Sequence, residues 1–353
     1  MDDNNSSQSG SSLGPSALLS AIDERDATES VAESTVLLKQ GTADAPDQWV
    51  QYISNIASLL RDRDASVRDA AILALGNLAK VYPQGVAEVG RTLQTALKDT
   101  NRSVRCDAAW TIGHVSTERP DIAAQVVDDL DALLDEGPGC CEDATWALGH
   151  VAREYPELLE GSINRYCSLL ADDREPIRIN AAWILDHLSA EYPDEIAENV
   201  ELLLENLDAN DDRLRVFVAS CIAQISSVNP SVIEDDVDML AAHVASEQVS
   251  VRRDVYAALA NVAAANPSTT YSVIPDSIVA LDDPDEVVRR NAAGLLAYVG
   301  SKHPDAILGA LPCLLNSRDD TETVRRNAQI AISQLEKAYP ETVIRFTRDT
   351  DDT

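Results

Sequence analysis

The residues best placed to do chemistry come as three copies of one triplet: Asp107-Trp110-His114, Asp143-Trp146-His150 and Asn180-Trp183-His187. Offsets of three and four residues put each triplet on one face of a helix. Tryptophan offers a large apolar ring, and neutral histidine both donates and accepts hydrogen bonds. Such a face can hold an extended protein segment. Trp110, Trp146 and Trp183 would form apolar pockets, His114, His150 and His187 would hydrogen-bond the ligand, and Asp107 and Asp143 would favour basic side chains. The same spacing has a second reading, in which the rings fill the seam between neighbouring helices and the histidines are satisfied locally.

Other chemistry is sparser. Cys140 and Cys141, with His114 and His150, are the candidates for a metal- or tetrapyrrole-linked activity. Packed helices lie about 8–10 Å apart. Three histidines on successive helices therefore spread too widely for one tetrahedral zinc site with bonds of ~2 Å. Two neighbours helped by Asp143 are the remaining option, and the expectation is no metal and no cofactor. The six cysteines show no Cys-x-x-Cys spacing and are expected to be reduced, in the cytoplasm. A second strip, Arg253, Arg290 and Arg326, is followed by Asp254, Asn291 and Asn327. It suits carboxylates or phosphates, or internal pairing with surplus acids. No glycine-rich phosphate loop, Gly-x-Ser-x-Gly elbow or His-Glu-x-x-His motif occurs, so a non-catalytic role is expected.

The elements that position these residues repeat. Arg68, Arg105, Arg178, Arg215, Arg252, Arg289 and Arg325, with Cys141 in the vacant slot, are spaced by 36 or 37 residues. Pro46, Pro83, Pro120, Pro156, Pro193, Pro230, Pro267, Pro304 and Pro340 keep the same step. A period of that length predicts a stack of supersecondary units. After each proline, apolar residues fall at helical spacing, as in Val86, Val89, Leu93 and Leu97. Proline suits a first helical turn, where its missing N–H costs nothing. A second helix follows from each Val-Arg pair, with stripes such as Val67, Ala71, Leu75, Leu78 and Val104, Ala108, Ile112, Val115. Neither helix buries its stripe alone, so stacking must supply one continuous core.

The pattern Leu-x-Asp-x(5)-Val-Arg-x-x-Ala-Ala resembles the HEAT repeat, over roughly residues 46–345. Pro275 and Pro312 match that family's mid-helix proline. The resemblance implies an all-α, right-handed α-α superhelix, a solenoid of about eight helix pairs of 36–37 residues. It also implies a ladder between the arginine column and Asp62, Asp99, Asp135, Asp172, Asp283 and Asp319. The second helices would line a concave groove carrying the three triplets. Trp-x-x-x-His is similar to the Trp-x-x-x-Asn rows of armadillo-repeat transport receptors, which clamp an extended peptide. HEAT-like deoxyhypusine hydroxylases bind iron through His-Glu pairs, and no histidine here precedes Glu. HEAT-like phycobilin lyases share the repeat, but no bilin mark beyond a cysteine is present.

The net charge of −32, with five lysines against twenty-three arginines, resembles the composition of proteins from salt-loving archaea. The acidity reads either as adaptation of the whole surface or as an acidic groove for basic partners. It disfavours nucleic acid, which needs a basic footprint. No apolar run approaches the ~20 residues of a membrane span. The expected organisation is a disordered N-terminus over 1–15 and a degenerate helical cap over 16–45. Eight helix pairs then fill 46–339, and a short cap helix with an acidic tail fills 340–353. The Gly137–Cys141 turn is either a harmless lesion or a hinge and binding feature.

Overall fold

The computed structural model describes residues 14–24 and 28–351; the predicted disordered start lies, up to residue 13, outside them. Among the described residues there are helices and no strands. Two compact units meet in sequence at Leu159 and Glu160. The first carries α1 (Pro15–Glu24), α2 (Thr28–Asp44), α3 (Ala65–Ala79), α4 (Arg102–Ser116) and α5 (Pro138–Glu154). The second carries α6 (Glu175–Leu188), α7 (Asp212–Val228), α8 (Val249–Ala265), α9 (Glu286–Lys302), α10 (Glu322–Ala338) and α11 (Pro340–Asp351).

The long helices α3 to α10 are the predicted second helices. Side-chain caps start several of them: Asp64 accepts from Ser66 N–H, Asn101 from Ser103 N–H, and Asp285 from Val287 and Val288 N–H. Such caps satisfy donors that the first helical turn leaves open. The first helices depart from expectation, because each is broken into short pieces. Pro83–Ala87 is followed by Gly90–Ala96, with Val89 between them at φ −100°, ψ 18°. Pro275 and Pro312 sit in the first turn of the later piece, where a missing N–H is harmless. Most column prolines open a helix, but Pro120 caps one from the preceding turn and Pro304 lies in a turn.

The cap over 16–45 is a complete helix pair, α1 and α2, burying Leu18, Leu19, Ile22 and Leu38. The acidic tail is helical as far as Asp351 rather than a free strand of chain. Within the first unit α3 packs on α4 and α4 on α5; within the second, α6 to α10 pack in succession. Val104, Ala108, Ile112 and Val115 are all fully buried, as the periodicity requires. Burying each large aliphatic side chain contributes roughly 1.5–3 kcal/mol.

The arginine ladder joins Arg68, Arg105, Arg252 and Arg289 to the next unit, with two shifts of register, whereas Arg215 pairs with Asp212 three residues before it. Arg68 grips Asp99 through Nε and Nη2 at 2.6 and 2.8 Å, while its Nη1 donates to the Asp62 carbonyl. Arg252 to Asp283 repeats this. Arg105 takes Glu136 instead of Asp135, and Arg289 takes Asp320 instead of Asp319. A glutamate's extra methylene, or a one-residue change in the turn, still presents a carboxylate to the guanidinium fork. Where Cys141 replaces the arginine, Gly137 turns the chain at φ 98°, a left-handed conformation that favours glycine. A Cβ there would also stand 2.8 Å from the Arg102 guanidinium.

Candidate functional site

In the first unit two of the triplets form a continuous edge-to-face row of rings. Trp110 meets His114 at 4.9 Å, His114 meets Trp146 at 4.6 Å, and Trp146 meets His150 at 5.5 Å between centroids. α4 and α5 supply the rings, and glycines on the preceding helix make room for them. A Cβ on Gly76 would stand 2.1 Å from Trp110 Cζ3, and one on Gly113 would stand 2.3 Å from Trp146 Cε3. The tryptophans therefore lie across the seam between helices. They form a wall of half-buried rings. Lys80 sits over the Trp110 ring, 4.6 Å from its centroid.

The histidines differ. His114 is half-buried, and desolvation, with Lys80 nearby, pushes its pKa down to about 4, so it is a neutral donor and acceptor at physiological pH. His150 is only 6% exposed and supports Trp146 from below instead of presenting nitrogens to a ligand. Asp107 and Asp143 are half-buried, and neither carboxyl has a hydrogen bond or salt bridge among the described residues. Burial pushes Asp107 up to about 6, helped by the charge of Asp69 and opposed by Lys39. Burial likewise pushes Asp143 up to about 7, helped by Glu142 and Asp107. Both carboxylates would gain from a cation placed on this face.

In the second unit Trp183 meets His187 at 5.8 Å, and both are half-buried. Asn180 shares that face of α6 and is half-buried too. Sequence reading missed Asp186, raised by burial against a hydrogen bond from Ser220; Asp254, named there only as the neighbour of Arg253, is pushed up to about 6 by burial and Asp186.

The cysteines require a correction. Cys106 and Cys140 are joined by a disulfide, with 4.4 Å between their Cα atoms, so they are not reduced thiols. Cys140 and Cys141 are 0% and 2% exposed, which leaves neither at the surface for the predicted metal- or tetrapyrrole-linked chemistry. Among the described residues no group of three or more His, Cys, Asp or Glu is placed to hold a metal ion. The arginine strip also separates. Arg253 is held by Asp285 and Arg326 is exposed, while Arg290 lines a cavity. Gly76, Gly113 and Lys80 escaped the sequence reading. The recurrence of glycine one residue before Asn77 and His114 was the available signal.

Comparison with known proteins agrees with this architecture. The family model described as a HEAT-like repeat matches residues 53–115. No curated protein sequence matches the chain. An engineered protein solved by a structural genomics consortium is similar in fold, with TM-score 0.76 and 19% identity over 94% of this chain and 92% of that one. A second engineered protein from the same source has TM-score 0.53 and 21% identity, over 60% of this chain and 96% of that one. A chain from a structure of the cadherin–beta-catenin interaction, controlled by a phosphorylation switch, has TM-score 0.75 and 15% identity over 93% of this chain and 69% of that one. The fold is therefore an all-α solenoid of HEAT/armadillo type.

Proposed function

We propose that this chain is a non-catalytic scaffold that holds an extended, basic protein segment against the face of α4 and α5. A HEAT-like solenoid is the architecture of a protein-interaction scaffold, and the cadherin–beta-catenin neighbour is drawn from such an interaction. The observation that carries the reading is the pair of half-buried, unpartnered carboxyls, Asp107 and Asp143, beside a wall of half-exposed rings. A lysine or arginine side chain laid along that wall would place its stem on Trp110 and Trp146 and its charge against the carboxylates. His114 would hydrogen-bond the segment's backbone. Asn180, Trp183 and His187 would serve the same role in the second unit.

Tryptophan fluorescence titration with an acetylated, amidated peptide of alternating lysine and leucine tests the proposal. A saturable spectral change is expected, weakened at least tenfold in Asp107→Asn/Asp143→Asn. Equal binding of a glutamate–leucine peptide, or no loss in that variant, would refute it. We assign the net charge of −32 to adaptation to high salt, tested by whether the melting temperature rises with potassium chloride. The cytoplasm is the location we propose. The Cys106–Cys140 disulfide argues against a strongly reducing one, and thiol counting on protein alkylated directly in cells decides between them.

A further inference from the structure

In the first unit the tryptophan column fills the seams between long helices. In the second unit the same column carries Ala257 and Gly294, and the space that a ring would take is an open cavity of about 310 Å³. Its floor is small and apolar, formed by Ala257, Ala260 and Ala297, and its rim includes Tyr298 and Ile330, 47% and 44% exposed. Gly294 lines it without a side chain, and a Cβ there would press on Asn327 Nδ2 at 3.2 Å.

The cavity's one charge is Arg290. Arg252, Arg253 and Arg289 hold Asp283, Asp285 and Asp320, while Arg326, the last of the strip, is exposed. Arg290 has no ion pair among the described residues, and no lining residue is acidic, in a chain with sixty acids. Its Nε and Nη2 donate only to the Asn291 amide oxygen, both at 3.3 Å, at the weak end of hydrogen-bond lengths. Asn291 and Asn327 each donate through Nδ2 to a carbonyl of the preceding helix, from Arg253 at 3.2 Å and from Arg290 at 3.0 Å, which fixes their planes. Gln334 also lines the cavity, and its Oε1 has no hydrogen-bond partner. A guanidinium fork loosely held by a neutral amide, above an alanine floor, matches a planar carboxylate on a hydrocarbon stem.

We propose that this cavity binds a carboxylate on an apolar stem, namely a glutamate side chain of an extended protein segment. The carboxylate replaces the Asn291 oxygen on Nε and Nη2 of Arg290, the stem lies on Ala257 and Ala297, and the polar side chains around it receive the segment's backbone. The site shares no residue with the α4–α5 face and stands whether or not that face binds a basic segment. The chain's net negative charge repels an acidic ligand at long range. Binding is therefore expected to be stronger at ~1 M salt, where the Debye length is about 3 Å.

The test uses the full chain, ¹⁵N-labelled, in 1 M potassium chloride. Arg290 Nε, assigned by its loss in Arg290→Gln, and the Asn327 side-chain amide are followed by NMR. The probes are acetyl-Ala-Glu-Ala-amide, its glutamine counterpart and free glutarate. Saturable shifts at both groups are expected with the glutamate peptide, at least tenfold weaker with the glutamine peptide and with glutarate. Arg290→Gln is expected to lose at least tenfold in affinity and Gly294→Leu to lose binding, while Trp110→Ala/Trp146→Ala retains it. Equal binding of the glutamate and glutamine peptides on the unaltered protein overturns the proposal without reliance on any variant. Glutarate binding as tightly as the glutamate peptide would overturn the protein segment as the source.

Discussion

Asp143→Asn isolates the electrostatics of the candidate face. Asp143 is pushed up to about 7 from an ordinary 3.8, chiefly by burial, so the folded protein prefers the neutral acid. A group whose folded pKa is raised stabilises the fold fully below its unfolded pKa. That contribution is lost as pH rises through the folded value, here between about pH 4 and 7. The full difference corresponds to roughly 4 kcal/mol at 1.36 kcal/mol per pH unit. Water at the half-open face screens this to ~1–2 kcal/mol. Asparagine keeps the shape and removes the ionisation. In thermal melts followed by circular dichroism, Asp143→Asn should match the unaltered protein at pH 4. It should melt about 2–8 °C higher at pH 8, using roughly 2–4 °C per kcal/mol for a unit of this size. Asp107→Asn should act in the same direction, and the double variant should gain less than the sum, because each charge raises the other's cost. A melting difference independent of pH, or a variant less stable at pH 8, would refute this reasoning.

Three further outcomes follow from the packing. Arg68→Gln should cost roughly 2–3 kcal/mol in urea unfolding, since it frees a well-enclosed Asp99, whereas Arg119→Gln, from a pair in the open, should change nothing measurable. Gly113→Ala should cost about 1–3 kcal/mol and shift tryptophan emission, because its methyl meets the Trp146 ring. Cys106→Ser should destabilise the fold by about 3–4 kcal/mol, on the loop-entropy account of a bridge spanning 34 residues, and reduction of the unaltered protein should match it.

Much of this architecture is visible in the residues because a repeat states the same requirement many times. The Val-Arg column marks the second helices, and the ladder follows from acids one unit along. Glu136 and Asp320 were hidden because a turn sets which of two adjacent acids faces the fork. The disulfide was hidden because Cys106 and Cys140 do not share a column: one follows the arginine slot and the other precedes it. Only the packing of α4 on α5 brings them together. The broken first helices leave little trace, since their apolar spacing reads as one helix. The Arg290 cavity is defined by what Ala257 and Gly294 lack, and an absent side chain has no motif.

A protein segment held on the α4–α5 face would be visible as a captured partner. The most direct measurement is affinity capture from lysate in molar potassium chloride. The intact chain would run beside Trp110→Ala/Trp146→Ala/Trp183→Ala and beside Asp107→Asn/Asp143→Asn, with circular dichroism confirming that all three fold. A protein with a basic segment, retained by the intact chain and lost by both variants, is the expected capture. Identical captures by all three would contradict it and leave the ring wall as packing alone.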